Sequence, residues 1–412
     1  MDEARTVLGL DVGTTKICAA IAEVGNGPAR VMGVGTAPSE GLRRGVVVDV
    51  DKTVDSIRRA VSQAEVMAGS SVDMAWVGIA GEHVRTFESR GAVAVEGRGH
   101  EVAPLDRERA IAAARTVAIP FDQEVLHVIP QGFVLDEQDG IRNPVGMFGV
   151  RLETSVYMVT GAVTSVQNLC RSVERAGLEV ADIILESLAS SQGVLTDDER
   201  DMGVALVDVG GGTADLAVYR GGSIRRTAVV GAGGQNVTGD VAICLRTSWP
   251  HAEALKCASG AARAGTVPEG EMVEVPGVAG REPTQVPRAE LAAIIEARMD
   301  EIFSLVREEL ESARNEGPLS AGVVLTGGGA LLEGAADLAR DVFQQQVRLG
   351  APAGLAGLGE RLASPVYATV AGLVEIAGQE DEGPERRRFQ DEFKDGAGGI
   401  GRRMRQWFEK VF

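Results

Sequence analysis

Aromatic residues, cysteines and histidines are scarce in this chain of 412 residues. Aromatic side chains make up 4% of the sequence, and there are four cysteines and four histidines. The cysteines form no CxxC pair and lack metal-ligand spacing, which argues against a zinc site and predicts reduced, mostly buried thiols. They are Cys18, Cys170, Cys244 and Cys257. The scattered histidines likewise argue against a catalytic histidine cluster.

Long apolar runs and an excess of positive charge are also missing. No run approaches the ~20 apolar residues that a membrane-spanning helix needs. The first apolar stretch is interrupted by Asp11 and Lys16, so no signal peptide is predicted. The formal net charge of −18 argues against a nucleic-acid partner. We therefore expect a soluble protein with room for roughly two to four domains.

Glycine, in contrast, is abundant, and part of it lies in a loop sequence that occurs twice. The first copy is residues 8–16 (LGLDVGTTK) and the second is residues 207–215 (VDVGGGTAD). Each copy has an apolar strand, an aspartate, a turn of small residues, and then β-branched or apolar residues that resume a strand. A third glycine-rich sequence, residues 323–331 (VVLTGGGAL), follows in the second half. This pattern predicts two similar domains that close on one nucleotide.

A turn of glycine and threonine can direct its backbone N–H groups toward a polyphosphate. The threonine hydroxyls add donors, and a lysine adds a point charge. The predicted phosphate ligands are Gly13, Thr14, Thr15, Lys16, Gly210, Gly211, Gly212 and Thr213. Ordinary hairpin turns would explain either loop alone, but the matching context of the two loops favours phosphate binding.

Other residues near these loops suit the remaining parts of a nucleotide. Asp11 and Asp208 end apolar strands, where a carboxylate can hold a hydrated Mg²⁺ ion. Gly233 and Gly234 precede a predicted helix over 237–246, and a phosphate suits a helix N-terminus. Asn236 or the turn itself is expected to cap that helix.

Two further motifs have more than one interpretation. Glu253 and Lys256 are three residues apart on a predicted helix and face either a ribose or each other as a surface pair. Gly327, Gly328 and Gly329 would let the backbone lie flat against a base. A simple strand-to-helix turn is the alternative for these three glycines.

The order of predicted elements repeats between the two halves. The first half has strands at 7–10, 17–23, 30–36 and 74–79 and a helix at 51–67, and the second has strands at 203–209, 214–220, 223–230 and 322–326. Residues 84–162 differ, with charged strands, a helix over about 104–117 and a turn-rich stretch over 130–152. We interpret this region as an inserted subdomain. The prediction also includes helices at 165–176, 187–195 and 290–315 and a strand at 178–185. An acidic break is predicted at 196–199, and a strand-loop-strand flap at 262–287.

These motifs resemble the actin/sugar-kinase/heat-shock-chaperone ATPase superfamily and, more narrowly, the FtsA family of bacterial cell-division proteins. The resemblance covers residues 6–376 and the tail. The sequences that carry it are 78–83 (GIAGEH), 127–132 (HVIPQG), 143–147 (NPVGM), 207–215 and 252–256 (AEALK). It implies an α/β, actin-like fold with two similar ATPase lobes around a nucleotide cleft, in which a subdomain 1C replaces the usual 1B.

The resemblance also implies subdomain boundaries and ligands. The boundaries are 1–83 and 163–196 for subdomain 1A, 84–162 for 1C, 197–230 and 304–376 for 2A, and 231–303 for 2B. ATP and Mg²⁺ are the implied cofactors, bound by the residues named above, and Glu186 is the implied water-orienting carboxylate. The family usually has proline after this glutamate, whereas this chain has Ser187. Weak ATPase activity at most is implied.

The implied partners are those of a division scaffold. They are the C-terminal tail of the tubulin-like GTPase FtsZ, other copies of the chain in protofilaments, an anionic membrane surface and downstream division proteins. The FtsZ tail would dock on the helix over 291–310, with Arg298 and Glu301 as candidate contacts. An ordinary solvated helix pair is the alternative for these two residues.

The last 36 residues separate this function from its alternatives. Residues 377–398 are charged and poor in apolar residues, which predicts a flexible linker. In a helix over 399–412, one arc of roughly 140° is apolar and the opposite side is mostly basic. The apolar arc holds Ile400, Met404, Trp407, Phe408, Val411 and Phe412, and the basic residues are Arg402, Arg403, Arg405 and Lys410.

Such a helix is typical of one that lies in a membrane surface with its basic residues near anionic head groups. Docking of its apolar face on the chain's own body is the alternative. The family implies a peripheral location on the cytoplasmic face of the inner membrane, at the division site. A small-molecule, sugar-type kinase of the same fold is the other candidate function, but it needs a catalytic base that the sequence does not supply.

Overall fold

The computed structural model describes residues 5–25, 27–278, 280–312 and 317–379. The predicted linker therefore lies outside the described residues except for residues 377–379, which end a helix. The predicted tail helix, 399–412, lies wholly outside them. No helix within the described ranges is long and apolar enough to cross a membrane.

The first sheet begins with the strand–turn–strand pattern that the sequence predicts. Its elements are β1 (Arg5–Val12), β2 (Lys16–Gly25), β3 (Gly27–Pro38), a short hairpin of β4 (Leu42–Arg43) and β5 (Val46–Val47), α1 (Val50–Ala68) and β6 (Met74–Ile79). β1 pairs antiparallel with β2 and parallel with β6. Helix α1 packs closely on β3, because a Cβ on Gly35 would lie 1.9 Å from the Ala60 carbonyl oxygen.

A separate antiparallel sheet follows, and all its strands fall within 85–162. Its elements are β7 (Arg85–Ala94), α2 (Pro104–Arg115), β8 (Gln123–Leu135), β9 (Gln138–Ile141) and β10 (Arg151–Ala162), with strand order β7-β10-β8-β9. The expected turn-rich stretch over 130–152 is partly wrong, because β8 continues to Leu135. Pro130 fits in this strand because a bulge beside it shifts the β8–β10 register.

The chain then returns to the first sheet. Helix α3 (Val163–Ala176), strand β11 (Glu179–Leu185) and helix α4 (Glu186–Val194) follow. β11 pairs parallel with β6, so that the sheet order is β11-β6-β1-β2-β3-β19. The strand β19 (Ala356–Gly357) comes from the second half of the chain and pairs parallel with β3.

The second half repeats this plan. Its elements are α5 (Asp197–Met202), β12 (Val204–Val209), β13 (Ala214–Arg220), β14 (Ser223–Val230), α6 (Gly234–Cys244), α7 (Trp249–Ser259), β15 (Met272–Val275), β16 (Thr284–Pro287), α8 (Arg288–Ser312), β17 (Val323–Thr326), α9 (Ala335–Phe343), β18 (Val347–Leu349), β19 (Ala356–Gly357) and α10 (Ala368–Gln379). The sheet order β14-β13-β12-β17-β18 matches β3-β2-β1-β6-β11 of the first sheet. The two halves therefore share one topology.

The sequence prediction missed one helix of the second half and placed the start of another too late. The acidic break at 196–199 is wrong, because these residues start helix α5 with a capping box between Thr196 and Glu199. Helix α6 begins at Gly234 rather than at 237, and Asn236 lies inside it, where its side chain accepts the Gly233 N–H at 3.0 Å.

The two sheets meet through a pair of packed helices, α4 and α10. A Cβ on Gly372 of α10 would lie 1.7 Å from the Ala189 carbonyl oxygen of α4, so the two backbones are in contact. α10 also packs on β1, and α4 on β12 and β13. This pairing fixes the loops of the two halves opposite each other.

Candidate functional site

The two repeated loops contact each other where the two halves meet. The first joins β1 to β2 and the second joins β12 to β13. A Cβ on Gly211 would lie 2.3 Å from Thr15 Cγ2, and one on Gly212 would lie 2.6 Å from Thr14 Oγ1. A side chain at either position would therefore displace the facing threonine. Thr14 Oγ1 also accepts the Gly45 N–H at 3.0 Å, which anchors the first loop.

An inner chamber of about 120 Å³ lies between these loops. It brings together the residues that the sequence assigns to phosphates and metal. They are Asp11, Gly13, Thr14, Thr15, Lys16, Asp208, Gly210, Gly211, Gly212 and Thr213. Glu186, Asp215, Gly327 and Gly328 also line this chamber. Asp11 and Asp208 thus share one crevice, as the sequence predicts.

The carboxylates of the inner chamber are buried close to one another. Burial raises the pKa of Asp11 to about 6, with Lys16 opposing the shift and Asp208 adding to it. Burial and the neighbouring Asp208 raise the pKa of Asp215 to about 7. Burial likewise raises the pKa of Asp208, although a hydrogen bond from Ser190 Oγ at 2.6 Å opposes the shift. Clustered carboxylates of this kind attract a cation.

Glu186 also points to this chamber and is the first residue of α4. Burial, and then the charges of Asp11, Asp215 and Asp208, hold its pKa well above the usual value. Within the described ranges, no group of three or more His, Cys, Asp or Glu side chains is arranged to hold a metal ion directly.

The Lys16 side chain contacts two residues that directly precede helix α10. Its Nζ donates to the Val366 carbonyl oxygen at 2.7 Å and lies 4.3 Å from the centre of the Tyr367 ring. Lys16 still lines the inner chamber. To bind a phosphate as predicted, the Lys16 ammonium group would give up its hydrogen bond to Val366 or keep it beside the new contact.

An outer chamber of about 280 Å³ continues from the inner one. The two chambers share Thr15, Gly210, Gly211, Gly328 and Val366. Gly234, Glu253, Lys256, Cys257 and Gly329 line only the outer chamber. A larger cavity of about 410 Å³, lined in part by Arg220, shares no residue with either chamber and does not belong to this cleft.

Glu253 and Lys256 form a pair, but not an isolated surface pair. Lys256 Nζ donates to Glu253 Oε2 at 2.8 Å, to Thr238 Oγ1 at 2.9 Å and to the Gly234 carbonyl oxygen at 3.1 Å. Burial would raise the pKa of Glu253, but hydrogen bonds from Lys256 and Thr238 lower it. The pair is thus charged and fixed at the wall of the outer chamber.

The glycines at 327–329 and Gly233 allow close backbone packing at the cleft. Gly327 has a φ of 83°, and a Cβ there would lie 2.3 Å from Asp208 Oδ1. A Cβ on Gly329 would lie 2.4 Å from Val209 Cγ1, whereas nothing lies within 4 Å of one on Gly328. Gly233 lies against the second loop, since a Cβ there would be 2.7 Å from the Gly210 carbonyl oxygen.

Sequence reasoning missed Asp215, which lines the inner chamber, and Thr238, which accepts a hydrogen bond from Lys256. Asp215 lies opposite Asp208 in the β12–β13 register, inside an otherwise apolar strand. A carboxylate at a buried strand position is the signal that identifies it. Thr238 carries no comparable signal, because its role depends on the packing of α6 against α7.

Arg298 and Glu301 are absent from the lining of both chambers. The Arg298 guanidinium binds both carboxylate oxygens of Asp240 on α6, at 2.5 and 3.1 Å, and Glu301 Oε2 at 2.5 Å. The sequence did not predict Asp240 as the partner of Arg298. Arg298 thus joins α8 to α6, while the Glu301 side chain is 55% exposed.

Two sheets of matching topology around such a cleft define the actin-like ATPase fold. The PilM-PilN type IV pilus biogenesis complex contains a similar chain, with a TM-score of 0.67, 18% identity and coverage of 91% of this chain and 99% of that one. MreB5 of Spiroplasma citri, in a structure bound to ADP, gives a TM-score of 0.53 at 16% identity, with coverage of 94% and 98%. These likenesses establish the fold.

Sequence comparison then identifies the family. Residues 205–372 match the family described as Cell division protein FtsA, and residues 81–160 match the SHS2 domain inserted in FTSA. Cell division protein FtsA of Pseudomonas aeruginosa is 47% identical over 91% of this chain and 89% of its own length. That of Neisseria meningitidis is 43% identical over 100% and 99%. The chain belongs to the FtsA family of cell-division proteins.

Proposed function

We propose that this cell-division protein binds ATP and Mg²⁺ in the cleft, polymerises, and tethers FtsZ to the cytoplasmic face of the inner membrane. The contact of the two glycine loops across the two halves carries the nucleotide part of this proposal. Because a ligand there touches both halves at once, its binding energy can favour the closed arrangement.

Each part of the cleft suits one part of the nucleotide. Backbone N–H groups and hydroxyls of Gly13–Lys16 and Gly210–Thr213 would bind phosphates. Asp11 and Asp208 would accept hydrogen bonds from waters on the metal. Glu253 and Lys256 would contact the ribose, Gly233 and Gly234 the phosphate side, and Gly327–Gly329 the adenine. MreB5 has been solved bound to ADP in the same fold, which supports this assignment.

Weak hydrolysis at most is part of the proposal. In the nucleotide-free protein, burial and three neighbouring aspartates raise the pKa of Glu186. A role of Glu186 in orienting water would therefore depend on the Mg²⁺ ion bound in the same chamber. ATP would then act mainly as a ligand for conformation and assembly.

The partner-binding part rests on the surface near α8. Glu301 is exposed, and two large apolar side chains on α6 and α7 are exposed as well, Ile243 (76%) and Trp249 (49%). Trp249 lies beside Gly239 on α6, next to Asp240. Exposed apolar side chains on helices that pack against the helix of Glu301 suit a short peptide such as the FtsZ tail.

The membrane part rests on the sequence of the tail. Its apolar arc and basic side suit an in-plane helix on anionic lipid, and one short helix would bind reversibly. A polymer that carries many copies would bind firmly through effective concentration. The subdomain boundaries given above, including 1C over 84–162 and the linker over 377–398, belong to the same proposal.

Vesicle co-sedimentation tests the proposal. The full chain, a 1–398 truncation and a W407D/F408D variant are mixed with anionic or neutral vesicles, with and without ATP and Mg²⁺. We expect only the full chain to pellet, with anionic vesicles, and more strongly with ATP and Mg²⁺. Equal pelleting of all three would refute the tail assignment, and no response to nucleotide together with no ATP binding by calorimetry would refute the nucleotide assignment.

A further inference from the structure

The inserted sheet touches the first sheet at the residue just before Glu186. β11 is the edge strand of the first sheet, and β8 of the insert packs against it. The N–H of Leu185, the last residue of β11, donates to Nε2 of His127 in β8 at 3.0 Å. An edge strand needs partners for its outward N–H groups, and here a side chain from the insert supplies one.

A bulge in β8 lies next to this histidine. His127 pairs with Val159 of β10, whereas the following register pair is Val125 with Thr160, so Leu126 is an extra residue. Bulges redirect neighbouring side chains out of the regular alternation. The bulge thus makes the backbone of the insert irregular at the place where His127 contacts Leu185.

Leu185 controls the start of helix α4. It is the residue before the helix, and no side chain caps the helix there. Glu186 follows directly and lines the inner chamber. The N–H that His127 holds lies in the peptide plane between Ile184 and Leu185. Only the two backbone dihedral angles of Leu185 separate this plane from the one that precedes the Cα of Glu186, so a shift of Leu185 would move the Glu186 carboxylate. Burial lowers the pKa of His127 to about 4, so its ring is neutral near pH 7 and Nε2 is free to accept.

We propose that His127 is a positioning residue through which the inserted sheet sets the place of the Glu186 carboxylate in the cleft. The inference rests on the proposed nucleotide site and adds the insert to it. Movement of the insert, for example on binding a partner, would then alter the cleft through this hydrogen bond. His127 belongs to residues 127–132, one of the sequences that carry the family resemblance. The nucleotide site alone does not explain why this sequence is typical of the family.

A matched pair of variants separates the hydrogen bond from the bulk of the side chain. In His127→Gln, Oε1 stands as many bonds from Cβ as Nε2 of histidine does, so the acceptor is kept. In His127→Asn the acceptor is one bond too short, while the polarity is the same. His127→Leu removes the acceptor altogether and serves as a second test should the Asn variant unfold.

The first measurement needs no nucleotide. Hydrogen exchange of the full chain is followed by mass spectrometry at the amides of 183–188. We expect about tenfold faster exchange at Leu185 in His127→Asn and His127→Leu, and near-original exchange in His127→Gln. Unchanged exchange in the Asn and Leu variants would overturn the inference.

The second measurement is a double-mutant cycle on the dissociation constant of Mg·ATP. We expect His127→Asn to change it about fivefold in the chain that keeps Glu186 and less than about twofold in a Glu186→Gln background. A purely structural role would give equal changes in both backgrounds and would overturn the inference. Failure of the unsubstituted chain to bind ATP would instead refute the proposed function, whatever the exchange data show.

Discussion

Gly211 and Thr15 touch across the boundary between the two halves of the molecule, and no side chain fits between them. A Cβ on Gly211 would lie 2.3 Å from Thr15 Cγ2 and 2.6 Å from Thr15 Oγ1. The contact joins the loop after β12 to the loop after β1. The close approach of the two loops therefore depends on the absence of a side chain at residue 211.

Gly211→Val should abolish tight nucleotide binding. The added side chain would push Thr15 away or hold the halves apart, so that one phosphate chain could not contact both loops. We expect ATP affinity to fall at least about tenfold, which corresponds to about 1.4 kcal/mol. Isothermal titration calorimetry with ATP and Mg²⁺ measures this change.

Gly265→Ala is the matched control, because nothing lies within 4 Å of a Cβ on Gly265 and its φ is not positive. It should bind ATP as the unsubstituted chain does. Tight binding by Gly211→Val would show that the loops do not clasp one ligand.

Asp215→Asn should stabilise the nucleotide-free protein in a pH-dependent way. The folded-state pKa of Asp215 is raised to about 7 from an ordinary value of 3.8. Between these values the folded state keeps a proton that the unfolded state releases, so the free energy of unfolding falls as pH rises. The variant should therefore gain on the order of 2 kcal/mol at pH 8 and much less at pH 5.

Chemical denaturation in EDTA at the two pH values measures this difference. The hydrogen bond from Thr213 Oγ1 to Asp215, at 2.9 Å, can persist to an asparagine oxygen. Equal effects at pH 5 and pH 8 would contradict the raised pKa.

Local sequence predicted the elements well where apolar runs lie between turn residues. Strands β6, β13 and β14 begin and end where the sequence predicts. Helix α5 was missed because its acidic residues resemble a break, although acids are favourable in the first turn of a helix. The prediction that the thiols are mostly buried was half wrong, since Cys18 and Cys170 are buried but Cys244 and Cys257 are exposed.

The cleft was predictable only in part. The repeated aspartate and glycine pattern predicted which loops would meet, because repeats of one topology face each other across a pseudo-symmetric boundary. The bond from Lys16 to Val366 joins residues 350 positions apart and leaves no local signal. The same holds for the hydrogen bond between His127 and Leu185.

Lys256→Met should weaken recognition of the ribose more than of the phosphates. Lys256 Nζ is fixed by Glu253, Thr238 and Gly234 at the wall of the outer chamber. We expect the unsubstituted chain to prefer ATP over 2′,3′-dideoxy-ATP about tenfold, as loss of a paired ribose hydroxyl predicts. In Lys256→Met this ratio should approach one.

Competition titration with the two nucleotides measures the ratio. Lys52→Met, at an exposed position of α1, is the control and should leave the ratio unchanged. An equal loss of affinity for both nucleotides in Lys256→Met would place the lysine away from the ribose.

Glu301→Lys should weaken binding of the FtsZ tail without loss of stability, whereas Arg298→Ala should lower stability. Arg298 is bound to both oxygens of Asp240, and the two side chains are 27% and 29% exposed. Removing it leaves Asp240 unpaired and should cost about 1–2 kcal/mol. The Glu301 side chain is 55% exposed, so its carboxylate can exchange the contact with Arg298 for one with a basic group of a peptide.

Thermal unfolding and fluorescence anisotropy with a labelled FtsZ tail peptide separate the two roles. The exchange D240R/R298D should regain part of the stability lost in Arg298→Ala, because it restores the opposite charges between α6 and α8. If Glu301→Lys binds the peptide as tightly as the unsubstituted chain does, the peptide does not contact Glu301 and this part of α8 serves only the fold. A loss of binding at unchanged melting temperature would instead assign the exposed side of α8 to the partner, beside an arginine whose own role is to hold α6 in place.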